Sequence, residues 1–205
     1  MRFCLALLFF SIAAFVFAGC SESFTDERDG QGYNIVEIGG KVWMASNLNF
    51  ETAESFCPDG VAKNCKKFGR LYTWAAAMNA CPEEWRLPDK EDYESLVNAG
   101  GGAAIAGSAL KSGSGWFKKG NGTNMLDFGA LPAGYRGSDG KFDGIGGYGY
   151  LWTATSGATS SGTAEDSSDE NFAFYLYLDF SSDAAKLNSF DKADARSVRC
   201  VRLKQ

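Results

Sequence analysis

The sequence predicts an α+β domain in which a hairpin and two helices precede a long irregular region and C-terminal strands. Residues 33–44 form two β-prone runs around a Gly-Gly pair, and residues 171–180 alternate between two faces with the period of a strand. Between them, residues 71–80 and the segment after Asp89 carry apolar residues at helical spacing. The chain has 25 glycines but only 4 prolines, which predicts long loops between these elements.

The first element is a tight hairpin. Residues 33–38 alternate as a half-buried strand does, and residues 41–44 continue as a second β-prone run. Gly39 and Gly40 stand between the two runs and suit the backbone angles that a short hairpin turn requires.

Two helices are expected next. Residues 71–80 are rich in good helix formers, and Pro82 follows their end. The second helix begins after Asp89, a good N-cap, and ends at the glycine run 100–102. Its predicted buried face consists of Tyr93, Leu96 and Val97.

The second half of the chain combines an irregular region with strands. Residues 100–149 are glycine-rich with scattered aromatic residues, which is typical of a long loop packed by its own side chains. Residues 156–170 are polar and predict an excursion from the fold. Residues 171–180 predict the most secure strand, and residues 197–203 predict a last strand that carries Cys200.

The N-terminus has the pattern of an exported lipoprotein. Residues 1–19 combine Arg2, an apolar run and small residues before a cysteine, as a secretory signal peptide does. Residues 17–20 resemble the lipobox of bacterial lipoproteins, which implies a lipid on Cys20 that anchors the protein to a membrane. An ordinary cleaved signal with a chance cysteine is the alternative.

The same resemblance gives an expected location. Ser21 stands where Asp would imply retention at the inner membrane, so we expect an outer-membrane or cell-surface lipoprotein. Residues 20–32 are predicted to be the lipidated cysteine and a polar tether. Residues 33–205 are predicted to form a single domain.

The composition excludes several function classes. With 25 acidic and 20 basic residues, a net charge of −5 at pH 7 and no basic cluster, the chain is a poor match for nucleic acid. Histidine is absent, which excludes a Ser-His-Asp triad and histidine-ligated zinc or copper. We therefore expect no catalytic residues, no cofactor and no metal, although a glycosidase-like carboxylate pair stays formally open.

Four cysteines of the exported part predict disulfide bonds. Cys57, Cys65, Cys81 and Cys200 form an even set in an oxidising compartment, and three pairings are possible. We favour Cys57–Cys65, which closes a short loop, and Cys81–Cys200, which ties the middle of the chain to its end. A redox or metal-thiolate pair is the alternative, and the absence of a Cys-x-x-Cys motif argues against it.

Five motifs follow one another along the chain: residues 32–47 with Trp43-Met44, the run CPEEWRLPD at 81–89, LPAGYR at 131–136, WTAT at 152–155 and VRCVR at 198–202. Together they resemble the Fibrobacter succinogenes major paralogous domain. The resemblance covers about residues 32–203 and implies an exported lipoprotein, with no established activity to carry over.

A more remote resemblance implies the detailed fold. WRLP at 85–88, Trp152 and the terminal RCVR are similar to the C-type-lectin-like fold and to the sulfatase-modifying enzymes that share it. This implies two helices that flank small twisted antiparallel sheets, with Trp43, Trp85 and Trp152 in the core. The calcium carboxylates of sugar-binding lectins and the catalytic cysteine pair of the sulfatase-modifying enzymes are missing, and the acidic residues Asp139, Asp143 and 165–170 are interpreted as solvated loops.

After these exclusions, ligand binding at the protein surface is the function that the sequence favours. Aromatic faces stack on sugar rings, and Arg and Asp side chains hydrogen-bond to hydroxyl groups, so we expect a non-catalytic module for extracellular polysaccharide or adhesion. A structural or assembly role in contact with other surface proteins is the alternative. The candidate ligand-binding residues, all in the irregular half, are Trp116, Tyr135, Arg136, Asp139, Tyr148 and Tyr150.

Overall fold

The computed structural model describes residues 22–157 and 170–204. The predicted signal segment 1–19, Cys20 and most of the predicted excursion 156–170 lie outside these residues. The described part is mostly β-structure with a few short helices, so the α+β class is confirmed.

A smaller antiparallel sheet holds the predicted hairpin. Its strands lie in the order β1-β2-β3-β12, and Ile38 of β2 faces Lys41 of β3 across the Gly39-Gly40 turn. The hairpin prediction is therefore confirmed. The four strands are β1 (Ser23–Thr25), β2 (Gly32–Ile38), β3 (Lys41–Met44) and β12 (Val201–Leu203).

The segment expected to be a free tether is folded onto the domain from Ser23 onward. Strand β1 pairs with β2, and the Phe24 ring packs 5.2 Å from the Trp85 ring. The Asp26 carboxylate is fully buried and pairs with the Arg28 guanidinium at 2.7 Å, while Arg28 also donates to the carbonyl oxygen of Ala80 at 2.8 Å. Mutual pairing of these charged groups lets a polar segment join a packed surface.

The middle of the chain differs from the prediction. It contains β4 (Ser55–Phe56), a 3₁₀ turn (Pro58–Gly60), α1 (Ala62–Phe68), β5 (Leu71–Thr73) and α2 (Trp74–Ala77). The helix predicted over 71–80 is thus wrong in its first three residues and shorter than expected. Burial explains this, because Leu71 and Tyr72 are fully buried in a strand between two others, which outweighs their helix propensity.

The second predicted helix is confirmed as α3 (Lys90–Ala99). Asp89 caps it by accepting from the Asp92 backbone N–H, and the Asp92 carboxylate accepts in return from the Asp89 backbone N–H. The predicted face of Tyr93, Leu96 and Val97 is buried.

The irregular half contains more regular structure than predicted. Helix α4 (Ala106–Leu110), a second 3₁₀ turn (Phe117–Lys119), β6 (Ala133–Arg136) and β7 (Phe142–Ile145) interrupt it. The remaining strands are β8 (Tyr148–Ser156), β9 (Phe172–Asp179), β10 (Ala185–Asp191) and β11 (Ala195–Ser197). The predicted strand over 171–180 is confirmed as β9.

A larger sheet runs in the order β10-β9-β8-β11-β5-β4, and β6 joins it by pairing with β11 and β7. The last predicted strand, 197–203, is therefore wrong as a single element. It divides because β11 pairs with β5 in the larger sheet, whereas β12 pairs with β3 in the smaller one. Cys200 lies in the link between the two sheets.

The disulfide bonds and the tryptophan core agree with the predictions. Cys57 bonds to Cys65, and Cys81 bonds to Cys200 over a separation of 119 residues. The side chains of Trp43, Trp85 and Trp152 are buried. Among the described residues, no helix is long and apolar enough to cross a membrane.

Candidate functional site

The three predicted ligand-binding tyrosines meet on the surface of the larger sheet. The Tyr135 and Tyr150 ring centroids are 5.4 Å apart with an edge-to-face geometry, and those of Tyr148 and Tyr150 are 6.1 Å apart. Strand β8 presents Tyr148 and Tyr150 on one face because side chains alternate along a strand, and β6 brings Tyr135 beside them. All three side chains are half-buried, which leaves part of each ring open to a ligand.

Trp116 does not belong to this surface. Its side chain is only 5% exposed, and its indole N–H donates to the Ser112 hydroxyl and to the Ala130 carbonyl oxygen. The ring packs in the main core cluster. The expectation that Trp116 contacts a ligand is therefore corrected: a buried indole with a satisfied N–H supports the surface from below.

Arg136 and Asp139 also lie apart from the tyrosines. The Arg136 guanidinium is 4.1 Å from the Phe56 ring centroid and 5.9 Å from that of Phe142. Asp139 lies in the turn after β6 and pairs with Lys141 at 2.8 Å. Hydrogen bonds from the Lys141 side chain and backbone lower the pKa of Asp139. Neighbouring positions of a strand face opposite sides, which separates Arg136 from Tyr135.

Tyr148 extends the surface towards two phenylalanines that the sequence analysis did not single out. Its ring lies 6.0 Å from that of Phe180, which in turn lies 6.4 Å from that of Phe117. Phe117 is 53% exposed, unusual for so large an apolar side chain. We call the series Tyr135, Tyr150, Tyr148, Phe180 and Phe117 the aromatic strip.

Tyr177 supports the middle of the strip. Its ring stacks on Tyr148 with 6.0 Å between centroids and 21° between planes, and its hydroxyl donates to Asp179 at 3.0 Å. Burial raises the pKa of Tyr177 and of Tyr150 well above the usual value, with the neighbouring Asp179 adding to the effect at Tyr177. Both phenols therefore stay neutral and act as hydrogen-bonding groups.

An open groove of about 360 Å³ lies at the Phe117 end of the strip. It lies in the size range of small-ligand sites. Aromatic rings form much of its lining, and two exposed carboxylates stand at its rim. We call this the aromatic groove; its main lining side chains are Phe117, Phe142, Tyr148, Phe180, Asp59 and Asp143.

Unusual backbone conformations flank the aromatic groove. Asp59 on one side and Lys118 and Lys119 on the other adopt positive φ angles of 56°, 47° and 69°. Non-glycine residues rarely adopt this region, and such angles cluster at binding and active sites. Gly146 is required opposite Phe117, because a Cβ at this position would lie 2.3 Å from the Phe117 ring.

A buried arginine lies beneath the tyrosine end of the strip. The Arg196 guanidinium is 4.2 Å from the Tyr175 ring centroid and 4.9 Å from that of Tyr150, and it pairs with Asp194 at 2.9 Å. Burial lowers the pKa of Arg196, and the nearby Tyr175 and Asp194 oppose that shift. Arg196 stands just before the predicted last strand, 197–203, and the sequence analysis assigned it no role, so its place under the rings was missed.

The described residues do not bring acidic or thiol side chains together as metal ligands. In residues 22–157 and 170–204, no three Cys, Asp or Glu side chains converge on one point. Asp143 instead accepts a hydrogen bond from the Gly144 backbone N–H at 2.7 Å. The arrangement presents aromatic faces and hydrogen-bonding groups.

Comparison with known proteins identifies one family. The model of the Fibrobacter succinogenes major domain matches residues 36–202, most of the chain. No curated protein and no solved structure matches the sequence. The match begins within β2, ends within β12 and covers helix α3 and the aromatic strip.

Proposed function

This chain belongs to the Fibrobacter succinogenes major domain family, and we propose that it is a surface-anchored, non-catalytic module that binds extracellular polysaccharide. The observation that carries the proposal is the aromatic strip with its groove. The strip presents part-exposed rings in a continuous row, with neighbouring centroids 5.4 to 6.4 Å apart. A row of rings fits an extended polymer better than a single compact ligand.

The chemistry of the groove favours sugars. The faces of pyranose rings carry apolar C–H groups that pack on aromatic rings, while the carboxylates of Asp59 and Asp143 accept hydrogen bonds from hydroxyl groups. The Lys118 ammonium lies 5.6 Å from the Phe180 ring centroid, so the charges beside the groove are mixed and do not discriminate between neutral and acidic polysaccharides.

The proposal is of a binding protein rather than an enzyme. Histidine, the commonest general base, is absent from the sequence. The two carboxylates at the groove are exposed, whereas the general acids of glycoside hydrolases need a desolvated setting that raises their pKa.

Two finer assignments complete the proposal. The first is the lipid on Cys20, which would place the module at the outer membrane or cell surface. The second is a C-type-lectin-like fold. It is supported by the pairing of β2 and β12 on either side of β3, which brings the two ends of the domain together, and by the Cys81–Cys200 bond.

A pull-down on insoluble and arrayed polysaccharides tests the function. The full chain is used in a detergent without a sugar headgroup, with calcium and with chelator. Phe117→Ala and Tyr148→Ala are expected to weaken retention by about tenfold each, the loss of one good stacking contact. Ile105→Ala is the matched control, because Ile105 is 56% exposed and lies outside the strip.

Two outcomes contradict the proposal. If Phe117→Ala and Tyr148→Ala were retained on polysaccharide as strongly as the unmodified protein, the strip would not be the binding site. No retention of the folded protein on any polysaccharide would favour the second candidate of the sequence analysis, a structural contact with another surface protein. Cross-linking on intact cells would then identify that protein.

A further inference from the structure

The domain holds the chain very close to the predicted lipid anchor. The backbone carbonyl oxygen of Glu22 accepts a hydrogen bond from the Ile35 N–H at 2.9 Å, and Cys20 stands only two residues before Glu22. Two extended residues span about 7 Å at most, and a headgroup layer is about 5 to 8 Å thick. With a lipid on Cys20, the surface around Glu22 therefore lies against the headgroups of the bilayer.

An open groove of about 610 Å³ lies beside Glu22, and we call it the entry groove. Ile35 and Val36 of β2, both half-buried, give it an apolar part. Asn124 and Asp127 line it from a separate turn of the chain. The entry groove and this turn are therefore the features that stand next to the point where the chain enters the domain.

The turn beside the entry groove holds Met125 out from the domain. The Asp127 N–H donates to the Asn124 carbonyl oxygen at 2.9 Å, and the Asn124 side-chain oxygen accepts from the Gly129 N–H at 2.6 Å. Leu126 packs against the main core cluster, whereas Met125 is 75% exposed. Among the described residues, Met125 is the most exposed large apolar side chain.

The second most exposed large apolar side chain of the described residues, Leu203 at 69%, lies at the same end of the smaller sheet. Leu203 ends β12 opposite Lys41 of β3. The next residue, Lys204, pairs at 2.9 Å with Glu37, which lines the entry groove. Single exposed apolar side chains are ordinary, but two of this size beside the anchor indicate a surface that lipid covers.

The charges around the entry groove indicate which lipids fit. Its lining carboxylates are Glu22, Glu37 and Asp127, and in the part of the chain that the structure describes Lys204 offsets one of them. Anionic lipids attract basic surfaces, so a surface with surplus carboxylates is a poor match for them. Zwitterionic lipids fit better, because their ammonium groups face the carboxylates.

We propose that Met125, Leu203 and the rim of the entry groove form a membrane-contact surface, which docks on the zwitterionic bilayer that holds the lipid of Cys20. The inference rests on the lipid anchor of the proposed function. Burial of exposed apolar side chains in the interface adds to membrane affinity. Because the anchor makes this contact intramolecular, a weak contact is enough to fix the orientation of the domain.

Photo-cross-linking to lipid tests the proposal. The acylated full-length protein is placed in vesicles of phosphatidylcholine and phosphatidylethanolamine, and p-benzoylphenylalanine replaces Met125. Met78 is the matched control position, because it is also a methionine and is 42% exposed. It stands two residues before Ala80, whose carbonyl oxygen accepts from Arg28 beyond the opposite end of β1. Mass spectrometry measures both the acylation of Cys20 and the lipid adducts.

Lipid adducts are expected with the probe at position 125, and they are expected to be lost with the probe at position 78. Leu203 is the second probe position should the variant at Met125 not fold, and it is expected to give the same adducts. Acylated protein without adducts at both positions 125 and 203, or with equal adducts at position 78, would overturn the proposal.

The same samples separate this inference from the proposed function. Met125→Asp is expected to leave retention on polysaccharide unchanged, because Met125 lies outside the aromatic strip. Acylated protein that is retained on polysaccharide but gives no adducts would refute the membrane-contact surface alone. A Cys20 without lipid would refute the anchor and this inference together, and would leave the aromatic strip as a binding site.

Discussion

Two buried arginines, three positions apart near the end of the chain, serve two different regions. Arg199 lies in what we call the core region, where its guanidinium donates to the carbonyl oxygens of Phe128 and Gly129 and to the Asn47 side-chain oxygen. All these partners are neutral. Burial lowers the pKa of Arg199 to about 9, which leaves the group charged at neutral pH.

Arg196 lies in what we call the aromatic region, under the tyrosine end of the strip. Its pairing partner is a carboxylate, Asp194, and its other neighbours are aromatic rings, with those of Tyr175 and Tyr150 at 4.2 and 4.9 Å. Its Nε atom has no hydrogen-bond partner among the described residues. The guanidinium is held partly by cation–π contacts with ring faces, which constrain its position less than a complete set of hydrogen bonds does.

The different partners of the two arginines indicate different roles for the two regions. In the core region a buried cation joins distant segments, since Asn47 and Phe128 come from separate parts of the chain. In the aromatic region a buried cation supports rings whose outer parts stay open. Changes to the core region should therefore alter stability alone, and changes to the aromatic region should alter ligand binding as well.

The largest effect is expected from removing the Cys81–Cys200 bond, which adjoins Arg199. With a sequence separation of 119 between the cysteines, the chain-entropy model gives a loss of about 5 kcal/mol in the free energy of unfolding. Urea denaturation of the double alanine variant measures it. Polysaccharide retention per folded molecule should stay unchanged, and a parallel loss of retention would break the distinction between the regions.

Arg199→Met is expected to cost about 3 to 5 kcal/mol, because the carbonyl and amide oxygens around it would be left buried without a donor. Thermal and urea unfolding measure the loss. Arg199→Lys is the control that keeps the charge but lacks the planar fork, and it should recover part of the stability. A stability equal to that of the unmodified protein would contradict the role of Arg199 in joining these segments.

Arg196→Met is expected to cost less, about 2 to 3 kcal/mol, because cation–π contacts and one ion pair are lost. Unlike Arg199→Met, it should also reduce retention on polysaccharide, since Tyr135 and Tyr150 lose the group beneath them. Retention is measured at equal amounts of folded protein. Unchanged retention would show that the rings keep their positions without Arg196.

The smallest effect concerns Asp92, which links α3 to the core region through Arg86 and Lys41. Burial alone would raise its pKa, but the hydrogen bonds from Arg86 and Lys41 outweigh this and hold the pKa at about 2. Because its pKa is lower in the folded state, ionised Asp92 stabilises the fold at pH values above 3.8, the pKa in the unfolded chain. This stabilisation, about 2 kcal/mol in total, is lost as the pH falls towards 2.

Urea unfolding between about pH 5 and pH 2 measures this contribution. Asp92→Asn removes the titrating group and should flatten the pH dependence. A variant that keeps the full dependence would assign it to other carboxylates.

Some elements of the fold followed from local sequence, and others depended on burial. The hairpin, α3 and β9 each carry a complete local signal: paired glycines, a capping box with a buried face, or strict alternation. Residues 71–73 precede a run of helix-forming residues and were assigned to its helix, yet they form β5 between two neighbouring strands. Residue type alone does not predict which strands will pair with a given segment.

The candidate site shows the same division. Tyr135, Tyr148 and Tyr150 were predicted and do meet. Trp116 was predicted to contact a ligand, whereas the adjacent Phe117 was not singled out. Trp116 is buried and Phe117 is 53% exposed. The exposed position follows from the turn at Lys118 and from the space beside Gly146, neither of which is visible in the residue pattern.

The sequence by itself determined the α+β class, the family and the even set of four cysteines in disulfide bonds, and it shows an acidic chain without histidine, which predicts binding rather than catalysis. The tertiary structure alone decided which aromatic rings face solvent and which arginine supports them. The physical reason is the sequence separation over which the deciding interactions act. Strand alternation, helix caps and cysteine number depend on near neighbours or on a count, whereas exposure depends on segments far apart in the chain that pack over one another.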